Sequence, residues 1–199
     1  TGASSIEDVK RAMSTLSTRT QKVVLMQCNT NYTASLENFK YVNLNVLERY
    51  AEMYPDTILG LSDHTPGHAT VLGAVAFGAR VFEKHFTDDN SREGPDHKFA
   101  MNPKTWRDMV DRANELYNAL GDGIKRIEDN ERDAAVVQRR SLRAVKDLNE
   151  GQLISANDLE ALRPIPNDGI PPHELNSILG RKLKLPLKKG EHITQNHLE

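Results

Sequence analysis

The sequence predicts an α/β fold of parallel strands and crossover helices, followed by a smaller β-rich domain. Three observations carry that expectation. Two apolar runs of strand length lead into His64 and His85, so two imidazoles are delivered to the ends of neighbouring strands. Between them, the stretch 66–79 is small and apolar and suits a helix packed closely on a sheet, so this unit reads as strand, loop, helix, strand. Finally, residues 147–159 match residues 186–198 at one constant offset, with Leu148/Leu187, Gly151/Gly190, Ile154/Ile193, Ser155/Thr194, Asn157/Asn196 and Leu159/Leu198 in step.

Taken in order, Ser4 or Ser5 caps a first helix with Glu7 or Asp8 in its opening turn, and Ile6, Val9, Met13 and Leu16 fall at helical spacing. The run 22–28 reads as a buried strand and the polar stretch 29–34 as the loop after it. From Leu36 to Met53 the apolar residues predict one helix, stopped by Pro55. A strand over 57–62 follows, then the helix of the 66–79 stretch, then the strand leading to His85. The polar stretch 88–97, punctuated by Gly94 and Pro95, is a loop on the surface or over a site. Trp106, Met109, Val110, Ala113, Leu116 and Leu120 share one face of a helix over 104–120, which Gly121 and Gly123 end. Residues 124–133 are strongly charged and read as a partly helical connection. In the repeat, each copy is a strand, a glycine turn, a second short strand and a capped helical turn, and two copies make a pseudo-twofold domain.

Composition limits the function classes. A net charge of -2 and a pI near 6.4 argue against nucleic acid or an anionic membrane as the main partner. Cys28 is the single cysteine, so no internal disulfide forms, and a reducing compartment fits. No apolar run approaches the ~18 residues of a membrane span, and the first residues lack a signal-peptide pattern, so a cytoplasmic protein is expected.

The chemistry concentrates at the strand ends. His64 and His85 read either as ligands for Mn, Fe or Zn, with Asp63, Glu83 and Asp96 completing or orienting the shell, or as one rim hydrogen-bond donor and one solvent-facing ring. The remaining histidines, His68, His97, His173, His192 and His197, read as surface groups. Ser62, Thr65, Asn29, Asn31 and Tyr32 lie near strand ends too, where hydroxyls and amides suit the phosphate or carboxylate of a small polar substrate. In the second domain Arg163 stands in a backbone stiffened by Pro164 and Pro166. Its fork can read carboxylate, phosphate or amide oxygens, or simply be solvated.

Six motifs occur in one order: Gly60-Leu61-Ser62-Asp63-His64-Thr65, Glu83-Lys84-His85-Phe86-Thr87, Gly94-Pro95-Asp96, Ala119-Leu120-Gly121-Asp122-Gly123, Arg139-Arg140-Ser141-Leu142 and Leu162-Arg163-Pro164. Together they resemble the bacterial sialic acid synthase family, which includes the legionaminic and pseudaminic acid synthases. The resemblance implies a partial TIM barrel, its last three strands and their helices over 1–123, a linker over 124–138, and a SAF (antifreeze-like, β-clip) domain over 139–199. It implies condensation of phosphoenolpyruvate with an N-acylated amino sugar, releasing phosphate and giving a sialic-acid-like 2-keto acid. By the same resemblance His64 and His85 hold a divalent metal, Mn2+ ahead of Mg2+ or Co2+. Glu83 and Asp96 are acidic residues beside the site and Tyr32 and Ser62 line it. Arg163 reaches into a partner subunit's barrel to hold the N-acyl group, which implies a domain-swapped homodimer.

Tyr32-Thr33 stands where sialic acid synthases carry Tyr-Pro, and the loop is closer to legionaminic acid synthases. Thr1 corresponds to a point after the fifth barrel strand, so the family's phosphoenolpyruvate-gripping lysines and its catalytic-site glutamate are expected to be missing and the chain inactive alone. Two alternatives remain: a non-catalytic sugar- or partner-binding protein using the SAF domain, and a generic metal-dependent aldolase or hydrolase, against which the repeat weighs.

Overall fold

A computed structural model of the chain describes residues 1–33 and 35–199, so Ala34, the last residue of the loop expected over 29–34, lies outside the described residues. Helix α1 (Ile6–Ser17) begins where the Ser5 side chain accepts from the Asp8 N–H and the Asp8 carboxylate accepts from the Ser5 N–H. This reciprocal cap satisfies donors that the first helical turn leaves open. It aims Val9 and Met13 at the core. Strands β1 (Val24–Cys28), β2 (Ile58–Asp63) and β3 (Val81–Lys84) pair in parallel in the order β1-β2-β3. Helices α2 (Val46–Met53) and α3 (Ala69–Ala76) make the crossovers, and α4 (Pro103–Leu120) packs on α3.

The pleat sends Leu25, Leu59 and Leu61 to one face, where Val9, Met13, Leu47, Tyr50 and Ala74 cover them. Val24, Ile58 and Val81 are exposed on the other. The register aligns Met26, Gly60 and Val81 in one row and Cys28, Ser62 and Glu83 in the next, nearer the strands' carboxyl ends. This sheet therefore has one helix-covered face and one open face whose polar row lies at the end where the histidines follow.

The single helix expected over 36–53 is two pieces, a 3-10 segment Leu36–Tyr41 and α2. Continuous helix is interrupted because the buried Gln27 side-chain amide takes the Val42 carbonyl, at 3.0 Å, and Asn43 enters the left-handed region with φ 51°. The strand into His85 stops at Lys84, and a bridge between Phe86 and Met101 carries the chain beyond it.

The chain divides into two units, Thr1–Ile124 and Lys125–Glu199. The stretch 124–138, expected as a linker, holds a short 3-10 turn, Asp129–Glu131, and α5 (Arg132–Val137), and the Val136 carbonyl accepts from the Ile165 N–H. Strands β4 (Ser141–Ala144) and β5 (Leu159–Leu162) pair antiparallel, and α6 (Leu175–Ile178) contributes Ile178 to the second core.

The repeat is expressed bond for bond. Leu148 and Leu187, equivalent in the two copies, exchange backbone hydrogen bonds at 2.8 and 2.9 Å, which places the pseudo-twofold axis between them. Away from the axis, Ile154 N–H donates to Arg181 while Ile193 N–H donates to Leu142, and Gly151 donates to Leu183 while Gly190 donates to Ala144. Both glycines sit at positive φ, 80° and 82°, in matching turns. Each copy ends in the expected capped turn, Ser155 with Asp158 and Thr194 with His197.

Candidate active site

His64 follows the last residue of β2 and is nearly buried. Its Nδ1 lies 3.0 Å from the Asn29 carbonyl. A carbonyl only accepts, so in the neutral ring the proton sits on Nδ1 and the lone pair is on Nε2. His85 follows the last residue of β3, and its ring centroid is 5.1 Å from that of His64. Its Nδ1 lies 3.5 Å from an Asp96 carboxylate oxygen. Both imidazoles thus turn Nδ1 toward an oxygen of the surrounding protein and leave Nε2 for something else.

Tyr32 meets both rings edge-on, with centroids 4.4 Å from His64 and 5.7 Å from His85. Phe99 stands against His85 at 5.0 Å and is itself buried. One row below, the Ser62 hydroxyl donates to Glu83 at 2.8 Å, across the registered Ser62–Glu83 pair. Side chains two apart on a strand share a face. Ser62 therefore leads to His64 and Glu83 to His85, on the open side of the sheet.

The loop after β3 brings in Asp96. Met101 N–H returns to the His85 carbonyl at 2.8 Å and Thr87 N–H to the Met101 carbonyl at 2.9 Å. Asn90 braces the loop from within, its amide donating to the His97 and Ala100 carbonyls while its oxygen accepts from Asn102. The His97 ring, expected at the surface, is half-buried and bonded to the Thr87 hydroxyl at 2.8 Å.

Tyr32, His64, His85 and Asp96 are thus gathered in one place, with the Ser62–Glu83 pair beneath them. Asp63 is not. It faces the helix-covered side, where its carboxylate binds Lys84 Nζ at 2.6 Å and the Thr65 and Thr70 hydroxyls. Strand alternation forces this, because a residue adjacent to His64 points to the opposite face. Asp63 therefore cannot join a shell with His64. Lys84 and Phe99 escaped the sequence reading. The same alternation was the available signal for Lys84, whereas nothing local announces Phe99, which arrives from a loop.

Arg163 belongs to the second unit. It is exposed, with Nε donating to the Gln138 carbonyl at 2.8 Å, and its two terminal nitrogens have no protein partner among the described residues.

Among the described residues no group of three or more His, Cys, Asp or Glu side chains is arranged to hold a metal ion. The histidine pair nevertheless fits a divalent cation as a two-nitrogen donor set. Two Nε2 atoms without a hydrogen-bond partner among the described residues, each backed by an oxygen at Nδ1, are the arrangement of ligating imidazoles, and the remaining positions fall to water or substrate oxygens.

Among the described residues no helix is long and apolar enough to cross a membrane. A protein-family model described as the NeuB family matches residues 1–125, and one described as the SAF domain matches residues 139–199. The chain is 35% identical over 204 residues to the N,N'-diacetyllegionaminic acid synthase of Legionella pneumophila, covering 100% of this chain and 56% of the relative. It is 26% identical to the N-acetylneuraminate-9-phosphate synthase of Homo sapiens, covering 98% and 55%. Thus the chain spans little more than half the length of these relatives. Among solved structures, an N-acetylneuraminic acid (sialic acid) synthetase from Leptospira borgpetersenii matches with a TM-score of 0.59 at 26% identity, over 67% of this chain and 45% of the other. The spore coat polysaccharide biosynthesis protein spsE of Bacillus subtilis matches with a TM-score of 0.54 at 27% identity, over 100% and 60%.

Proposed function

The chain belongs to the NeuB family and carries a SAF domain, and from that membership we propose that its histidine site serves the condensation of phosphoenolpyruvate with an N-acylated amino sugar. In that reaction C3 of phosphoenolpyruvate bonds to the sugar's aldehyde carbon, water adds at C2, and C–O cleavage expels phosphate to leave a 2-keto acid. The observation that carries the reading is the meeting of Tyr32, His64, His85 and Asp96 at the strand ends of a NeuB-type sheet.

His64 and His85 are the residues that would hold a divalent cation, Mn2+ first, through Nε2. When bound, such an ion supplies Lewis-acid polarisation of an oxygen on the substrate. The Asn29 carbonyl holds the His64 proton at Nδ1, which keeps Nε2 available. Asp96 does the corresponding work at His85. Tyr32, half exposed against both rings, gives an acceptor sugar a face to rest on and shields the reacting carbons from water. Glu83, anchored by Ser62, offers a carboxylate for proton transfer or for orienting a hydroxyl at the foot of the site.

Phosphoenolpyruvate needs cationic partners for its phosphate and carboxylate, and Lys84, which directly precedes His85, is not available for this because it is bound to Asp63. With no phosphate grip identified beside the histidines among the described residues, the 199 residues by themselves are expected not to turn over. Arg163 serves the site of a second copy, its terminal nitrogens reading the N-acyl oxygen, in a domain-swapped homodimer.

A chimera with the N-terminal segment of the Legionella relative placed ahead of Thr1 tests this. With Mn2+, phosphoenolpyruvate and a diacetamido sugar it is expected to release phosphate and form keto acid, and His64→Ala or His85→Ala to abolish both. A folded chimera that forms no product from any N-acylated acceptor would overturn the reaction. Product from the 199-residue chain alone would overturn its inactivity.

A further inference from the structure

Asp63 and Lys84 are registered neighbours on β2 and β3, and each directly precedes one of the two histidines in the chain. Their side chains are 1% and 2% exposed, with Nζ and Oδ2 2.6 Å apart. Lys84 Nζ also donates to the Thr65 carbonyl at 2.7 Å. The Thr65 N–H and hydroxyl in turn donate to Asp63 Oδ1 at 3.0 and 2.9 Å. The Thr70 hydroxyl, from the first turn of α3, closes the network on Asp63 Oδ2. His64 is thereby bracketed. The residue before it and the residue after it are tied to one another and to the residue before His85.

We infer that the buried Asp63–Lys84 pair is a positioning brace that sets the His64 backbone and the separation of the two imidazoles. Fold stability does not require it. A buried ion pair loses hydration to about the extent that it gains Coulomb attraction, and apolar residues of similar volume often serve a core as well. What apolar residues cannot do is fix direction. The network holds the 63–65 turn through directional bonds to both oxygens of one carboxylate, and that turn aims the His64 ring so that Nδ1 reaches the Asn29 carbonyl. Lys84 joins the turn to the strand end from which His85 projects. Neither side chain contacts the open face, so both are positioning residues.

The test needs no catalysis. In the nitrogen-15-labelled 199-residue chain, long-range proton–nitrogen correlations report which nitrogen of each imidazole is protonated, and His64→Ala assigns the His64 signals. Wild type is expected to show His64 as the Nδ1–H form. Asp63→Leu/Lys84→Met, which removes both charges together, is expected to keep the far-ultraviolet circular dichroism and a cooperative melt while His64 becomes a mixture of tautomers. Mn2+ affinity, read from the paramagnetic resonance of the free aquo ion, is expected to fall about tenfold or more, as for other residues that orient ligating histidines.

A folded double variant with the wild-type tautomer and wild-type Mn2+ affinity would overturn the brace. Should the double variant fail to fold, Thr70→Val decides, because it removes one bond to Asp63 and leaves the ion pair. A smaller shift of His64 in the same direction supports the brace, and an unaltered His64 overturns it. The Mn2+ measurement rests on the reading of the histidines as a cation site. If wild type shows no Mn2+ binding while the variants still disturb the His64 tautomer, the metal reading falls and the brace stands.

Discussion

Asp158 shows how firmly single side chains hold the second unit together. Its carboxylate accepts from the Ser155 N–H at 2.9 Å and hydroxyl at 2.6 Å, and pairs with Lys146 at 2.9 Å. These partners, the Ser155 hydroxyl first and Lys146 next, hold the Asp158 carboxyl down to about 2 against the opposing cost of burial. The unfolded chain returns it to about 3.9. A folded value below the unfolded one means that the stabilisation is fully present above the unfolded value and fades as pH falls toward 2. Asp158→Ala is therefore expected to lower stability at pH 7 by about 1 kcal/mol, the usual worth of a capping group. Thermal melts of wild type and variant at pH 7 and pH 2.5 check this, since the gap should narrow in acid. A gap of the same size at both values would show that packing, not the ionised cap, is lost. In the second copy His197 replaces the acid, its Nδ1 accepting from the Thr194 N–H at 3.2 Å. The repeat thus conserves the bond while changing the group that makes it.

At the scale of elements, what could be read in advance and what could not divides along physical lines. Strand ends, the α1 cap and the repeat were legible because each rests on local spacing: apolar runs, a serine three residues before an acid, glycines at fixed intervals. The break between Leu36 and Met53 was not, because it depends on the Gln27 amide arriving from a distant strand to take the Val42 carbonyl. The site divides the same way. His64 and His85 were visible at the strand ends, whereas of the two parts expected for Asp63, completing a shell or orienting it, pleat alternation leaves only the second, and Phe99 depends on the path of a loop.

Gly60 sits at the centre of this sheet. A Cβ there would come within 2.7 Å of the Val81 carbonyl and 2.9 Å of Met26 Cγ. The first of these is backbone and cannot swing aside. Gly60→Ala is expected to force β2 from β3, costing on the order of 1–3 kcal/mol as overpacked cores do. Because β2 and β3 lead to the two histidines, it should also weaken Mn2+ binding. Denaturant titration and Mn2+ titration of the same variant check both, and unchanged stability would mean that the strands yield without cost.

The two units bury apolar surface in different ways, and at the scale of the whole molecule this has a measurable consequence. The second unit closes on itself. Leu142, Leu148, Ile154, Ile178, Leu183, Leu187 and Ile193 are each 3% exposed or less, and the paired bonds of the repeat join the two copies across the axis. The sheet of the first unit is covered on one face only, and on the other Val24, Ile58 and Val81 remain 44%, 52% and 37% exposed. Exposed apolar side chains on one sheet face attract hydrophobic probes, whereas a closed core does not. Residues 125–199 prepared alone are therefore expected to fold with a single cooperative melt and to leave the fluorescence of an anilinonaphthalene sulfonate dye unchanged. The 199-residue chain is expected to raise that fluorescence, and Val24→Thr/Ile58→Thr/Val81→Thr to reduce it while both units stay folded. If residues 125–199 bind the dye as strongly as the full chain, or fail to melt cooperatively, the second core is not self-sufficient. The repeat alone would then be too small a source of stability, as cores in chains of this length often are without further support.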